Sequence, residues 1–250
     1  GRNMDFYDLS ILVVGVSSMA AALNFLVTII NMRAPGMTMM RLPVFVWMTL
    51  IISALLILAL PPLTVALLQL LFDRHYETNF LNAGGGGDPL LWQHLFWVFG
   101  HPEVYVLILP AMGIVSETLP VFSRKPLFGY RAIVFSGLAI AVMGWTVWAH
   151  HMYTTGLGPV QKSIFTGTTM LIGIPTGIKI FNWLATMYGG SIRFTTSMYF
   201  AVSFIALFTI GGISGVMHAS PPIDTQQQDT YWIVAHLHYV LVGGAVQGIF

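Results

Sequence analysis

LWQHLFWVFGHPEVYVLILPAMGIVS, residues 91–116, is the stretch that decides the fold. It carries one acid, Glu103, and no lysine or arginine over a length that can cross a membrane as a helix. Its apolar residues run on without alternating, which argues against a membrane β-barrel. The same pattern recurs on both sides. A hydropathy window of roughly 20 residues predicts spans over 9–32, 43–71, 91–116, 128–153, 164–188, 195–217 and 231–250. Turn-forming residues punctuate the joints at 33–36, 84–89, 123–126 and 220–222.

The 250-residue chain is 56% hydrophobic and 8% charged, against about 25% charged in a soluble domain. The expected fold is therefore an all-α integral membrane protein, a polytopic helical bundle forming one membrane domain over residues 1–250. No cysteine is present, which excludes disulfides, iron–sulfur clusters and thiolate metal sites on this chain. A net charge of +1 gives no reason to expect nucleic acid as a partner. Neither end has the look of a natural terminus, so the expectation is an internal piece of a longer polytopic protein.

Basic residues orient the spans. Arg33, Arg41, Arg124, Lys125, Arg131 and Arg193 fall in the loops after the odd-numbered spans. The other loops and the N-terminal piece hold Arg2, Arg74 and Lys162, along with most of the acids. The positive-inside rule places the first set inside, so the first span runs from outside to inside. At about 1.5 Å per residue, His101 then lies about 15 Å below the outer start of its span. His236 and His238 lie about 10 Å deep, and His150 and His151 near the outer end of the fourth span. All five share the outer half of the bilayer and can converge.

A buried imidazole carries polar nitrogens that need partners, so a histidine at membrane depth points to function. His236 and His238 are two apart on a helix and diverge by roughly 200°. They cannot share one metal, but each can serve a haem on its own face of the helix. His150 and His151 are adjacent, about 100° apart on an ideal helix, and reach one ion only near a helix end, for which Gly156 and Gly158 provide. His101 would complete three nitrogens with an open position, a set that suits copper. Tyr105, four residues after His101, lies on the same helix face. Its phenol could supply a proton and an electron to bound oxygen. Glu103 is an intramembrane acid able to carry protons, and Pro102 frees backbone carbonyls near the site. Lys179, with Thr176 one turn above it, is expected below the midplane and could line a polar route from the inside. His75, His94 and His218 read as loop, capping or surface residues.

These residues resemble subunit I of the haem–copper terminal oxidases, in the A-type branch that includes cytochrome c oxidases. The resemblance rests on Trp92 to Tyr105, Trp148 to Met152, Ile174 to Lys179, and Asp229-Thr230-Tyr231 leading to His236-Leu237-His238. It covers essentially the whole chain, as the fourth to tenth of about twelve family helices. It implies copper on His101, His150 and His151, a high-spin haem on His236, and a low-spin haem on His238 whose second ligand lies outside this chain. It further implies a covalent link between Tyr105 and His101, and a proton path past Ser17, Ser18 and Asn24 ending at Glu103. A second path would run through Thr176 and Lys179 to Tyr105, and Asp224 would lie near the carboxylates of the high-spin haem. The family's His-Asp pair for magnesium is Gln228-Asp229 here; a glutamine carbonyl is a ligand magnesium accepts.

The activity implied is proton-pumping reduction of O2 to water in a bacterial plasma membrane or mitochondrial inner membrane. Electrons would come from cytochrome c or a quinol, and oxidase subunits II and III would be partners. A nitric oxide reductase of the same superfamily is disfavoured by Tyr105 and Lys179. A non-catalytic haem carrier, or a transporter using intramembrane His and Glu, is disfavoured by the adjacent histidine pair.

Overall fold

The computed structural model describes residues 2–250, and among them every regular element is helical. α1 (Arg2–Asn31), α2 (Val44–His75) and α3 (Pro89–Ser123) are long antiparallel helices joined by segments 32–43 and 76–88, each with a 3-10 turn. α4 (Tyr130–Gly144) leads to a 3-10 turn at Trp148–Met152. α5 (Pro159–Leu171) and α6 (Gly173–Met187) follow, then α7 (Thr196–His218) and the short α8 (Pro221–Gln227). α9 (Tyr231–Val240), a π segment at Leu241–Val246 and α10 (Gln247–Ile249) complete the chain. Six stretches are long and apolar enough to cross a membrane, with α5 and α6 forming one of them. The protein is a multi-pass membrane protein.

The boundaries follow local chemistry. Asp88 starts α3 because its Oδ1 accepts from the Leu90 and Leu91 amides at 2.9 and 3.0 Å, with Pro89 at the first helical position. Arg124 ends α3 in the left-handed region at φ 52°. The expected span 164–188 is broken at Ile172. Pro175 lacks an N–H and its ring crowds the carbonyl four residues back, so the helix interrupts there and resumes as α6.

The expected span 128–153 is shorter than the sequence suggests, since α4 stops at Gly144. Its 15 residues make about 22 Å, less than the hydrocarbon core. Unwound backbone at this depth needs partners. One is Thr168 of α5, whose hydroxyl donates to the Thr146 carbonyl at 2.9 Å. The histidine pair therefore sits on the 3-10 turn, upstream of the expected helix end near Gly156.

Packing centres on α3. Val44, Met48, Ile51 and Leu55 of α2 meet Ile108, Leu109, Met112, Val115 and Leu119 of α3, with Trp183 and Phe204 closing the far side. A Cβ at Gly113 would come within 2.8 Å of the Phe45 Cα, so that glycine lets α2 and α3 approach closely. α1 lies outside this core, with Ile11, Leu12 and Met19 against Leu60, Leu63 and Leu67. α7 is held tightly against the π segment, where a Cβ at Gly243 would strike the Leu207 side chain at 2.7 Å. The π segment widens the helix just after His236 and His238, as π turns at functional sites often do.

Candidate metal centre and its surroundings

His101 projects from the middle of α3 into the turn that carries His150 and His151. Its Nδ1 is 3.2 Å from His151 Nε2, and its ring centre is 4.4 Å from that of His150. The three residues each bring a ligand atom within 4.8 Å of the others. They are the one such group of three or more His, Cys, Asp or Glu among the described residues.

Neighbouring groups fix which nitrogen faces inward. His150 Nδ1 is paired with the Thr169 hydroxyl at 3.0 Å, which leaves its Nε2 for a metal. His101 Nε2 lies 2.8 Å from the Tyr105 hydroxyl, which leaves its Nδ1. Trp97 stacks on the His151 ring at 3.8 Å, nearly parallel. Such partners set ring orientation and tautomer in metal sites. Three neutral nitrogens with no carboxylate or thiolate suit copper by ligand type.

Tyr105 occupies space that a glycine leaves open. A Cβ at Gly144 would lie 2.8 Å from the tyrosine ring. The end of α4 and the position of the phenol thus depend on the same residue.

His236, on α9, faces α7. Its Nδ1 lies 3.0 Å from the Gly211 carbonyl and 2.9 Å from the Ser214 hydroxyl. The Nε2 is thereby left for an iron. His238 points away, exposed, with Nδ1 2.8 Å from the Val234 carbonyl. The divergence expected from the two-residue spacing is what the helix produces. Both imidazoles are preset with one nitrogen bonded and one available, which fits an axial haem ligand.

Other expected residues are placed as follows. Lys179 is fully buried, and its ammonium donates to the Ile133 carbonyl at 3.2 Å, so it does not snorkel to the surface. Thr176, on the same helix, donates to the Ile172 carbonyl at 2.9 Å. Glu103 lies on the opposite side of α3 from His101 and is exposed in this chain. Ser17 and Asn24 are exposed on α1, Asn24 accepting from Thr28 at 3.2 Å, and Ser18 is half-buried. Asp224, on α8 beyond the spans, is buried, and its Oδ2 has no partner. Burial, with the nearby Asp229 adding to it, pushes this carboxyl up to about 6. Asp229 is exposed with φ 60°, a left-handed conformation uncommon outside glycine. Together with Gln228 it supplies two oxygen side chains, fewer than magnesium requires, so any further ligands come from water or elsewhere.

Some neighbours were not legible in the sequence. Thr169, Ser214 and Gly211 orient the histidines from other helices, and no local motif marks them. His218 is not the surface residue expected. Its ring packs edge-to-face on His236 at 5.3 Å, and both its nitrogens are buried. His94 accepts a hydrogen bond from the Trp148 indole at 3.1 Å, which ties α3 to the histidine turn.

The family model described as Cytochrome C and Quinol oxidase polypeptide I matches residues 2–250. Cytochrome c oxidase subunit 1 of Bacillus subtilis (strain 168) is 56% identical over 249 residues, covering 100% of this chain and 40% of that protein. The subunit of the same name from Bacillus sp. (strain PS3) is 57% identical over 245 residues, covering 98% of this chain and 40% of the relative. That of Cereibacter sphaeroides is 51% identical over 250 residues, covering 100% and 44%. The chain thus spans about two fifths of the length of these relatives. With the match running through α3, the histidine turn and α9 alike, the chain belongs to the Cytochrome C and Quinol oxidase polypeptide I family.

Proposed function

We propose that this chain is the part of a terminal oxidase subunit I that reduces O2 to water at a haem–copper centre, with electrons from cytochrome c. The observation that carries the reading is the convergence of His101, His150 and His151 with the Tyr105 hydroxyl against His101. The relatives' names favour cytochrome c over quinol as donor, although the family description covers both.

On this reading His101, His150 and His151 hold copper, and His236 holds the high-spin haem. His238 holds the low-spin haem, with its second ligand outside this chain. Bound copper and haem supply the electrons and the oxygen-binding positions. The chain's residues supply orientation and protons. Thr169 and Trp97 fix the rings of His150 and His151, while Ser214 and the Gly211 carbonyl fix His236. The Tyr105 hydroxyl holds a proton 2.8 Å from His101 Nε2, and a covalent link between these residues would make the pairing permanent.

Protons arrive by two routes. Lys179 and Thr176, on α6, serve the tyrosine side. Ser17, Ser18 and Asn24 lead to Glu103, whose route also carries pumped protons. Asp224 lies near the haem carboxylates, and Asp229 with Gln228 takes part in a magnesium site completed from elsewhere. The assembly resides in a bacterial plasma membrane with subunits II and III.

Metal and haem analysis of the full-length oxidase tests the reading, together with oxygen consumption on reduced cytochrome c. Copper and two haems per subunit I, with cyanide-sensitive oxygen uptake, are expected. Iron in place of copper would overturn it.

A further inference from the structure

α7 turns one stripe of residues toward His236: Gly211, Ser214, Gly215 and His218, spaced three, four and seven apart, as one helix face requires. Gly211 and Ser214 bond the His236 ring, and Gly215 leaves room for it, since a Cβ there would lie 3.0 Å from His236 Cε1. His218 is the last member of the stripe, its ring edge-to-face with His236 at 5.3 Å. Its polar atoms make no hydrogen bond within bonding geometry, although the Gln227 side chain lies near and Nδ1 and Nε2 are both shielded from solvent.

Buried polar atoms without partners are costly and few in native proteins. Eight such side-chain atoms occur among the described residues, and five fall between His218 and Gln228. They are the two His218 nitrogens, Asp224 Oδ2, Gln227 Oε1 and Gln228 Oε1. The concentration marks where a polar group external to this chain belongs. His236 has one free nitrogen for iron, so a haem bound there lies beside His218. A haem carries carboxylates at its edge, and a neutral imidazole has one N–H to donate, for which the nearby Gln227 side chain forms no hydrogen bond within bonding geometry.

We propose that His218 donates a hydrogen bond to a carboxylate of the haem borne by His236, and so sets how that haem seats. The inference rests on the reading of His236 as a haem ligand. His218 is a positioning residue, since it touches the edge of the cofactor and not the reacting atoms.

The test uses the full-length oxidase with three variants. His218→Phe keeps a ring against His236 but has no donor, and His218→Gln restores one. His236→Ala checks the underlying reading separately. Resonance Raman spectra should show the carboxylate bending band of the high-spin haem shifted in His218→Phe and returned toward the parent in His218→Gln. Haem loss on prolonged detergent washing should be about tenfold faster in His218→Phe, the scale of one hydrogen bond to a charged group. Copper content and the low-spin haem should be unchanged, which also establishes that the variant assembles. If His218→Phe does not assemble, His218→Leu takes its place in the same comparison. A parental Raman band and parental haem retention without the donor would overturn the proposal, provided His236→Ala loses the high-spin haem. Retention of that haem in His236→Ala would overturn the assignment of His236 and the proposal with it.

Discussion

The Tyr105 hydroxyl lies 2.8 Å from Nε2 of His101, one helical turn earlier on α3, and the other ring nitrogen of His101 faces His151 at 3.2 Å. One imidazole therefore joins a phenol to the metal-ligand cluster. The spacing of four residues brings the two side chains onto one face, and the buried surroundings hold them there.

Removing either residue of the adjacent pair should empty the metal site without unseating haem. His150→Ala or His151→Ala in the full-length enzyme is expected to lose copper and oxygen reduction while both haem signals remain. Metal analysis decides this, and a full copper complement in both variants would sink the assignment.

The opposite faces of α9 predict separable losses. His238→Ala should remove the low-spin haem signal, whereas His236→Ala should disturb the haem that binds carbon monoxide. Carbon monoxide difference spectra distinguish them. Loss of the same haem in both variants would refute the two-face reading.

Gly144 should be sensitive despite lying outside the ligand set. A methyl group there meets the Tyr105 ring at 2.8 Å, so Gly144→Ala must displace the phenol or the end of α4. Overpacking of this kind costs about 1–3 kcal/mol. Lowered thermal stability in detergent and reduced turnover, with copper retained, are the expected results. Unchanged stability and turnover would show that the tyrosine can move freely.

Proton delivery should divide between Lys179 and Glu103. Lys179→Met keeps the volume but removes the proton carrier, and should block reduction of the haem–copper pair. Glu103→Gln should allow that reduction and stall later steps along with pumping. Single-turnover electron injection with a pH dye separates the two, and a common stalling point would end the two-route reading.

Asp224 predicts a pH effect with a definite sign. Its carboxyl titrates at about 6 in the fold against an ordinary 3.8, chiefly because it is buried. The folded chain binds this proton more tightly than the unfolded chain. The group therefore favours the fold below 3.8, and that advantage fades as pH rises toward 6. Asp224→Asn should flatten this part of the stability profile, read as the melting temperature between about pH 4 and 7. Identical profiles for parent and variant would refute it.

The sequence by itself determined that this is a helical membrane bundle, because continuous apolar runs can satisfy their backbone in a bilayer only by coiling. It also singled out His101, His150, His151, His236 and His238 as candidates, though not His218. Spacing alone put Tyr105 on the face of His101 and set His236 and His238 on different faces, since helical periodicity is local. What it left undecided depended on contacts between distant segments. The early stop of α4 at Gly144 reads as more helix in the sequence, because Trp145 to Met152 are apolar enough to continue it. The turn is held instead by Thr168 and Thr169 of α5, by Trp97 and His94 of α3, and by the space Gly144 yields to Tyr105. His218 passed as a helix-end residue because its significance lies in facing His236, 18 positions later in sequence. Hydropathy and periodicity describe what each segment must do with its own backbone and faces. For His150 and His236 the free nitrogen is settled where helices meet, since Thr169, Ser214 and Gly211 come from other elements, whereas for His101 and His238 the partner sits one turn away on the same helix.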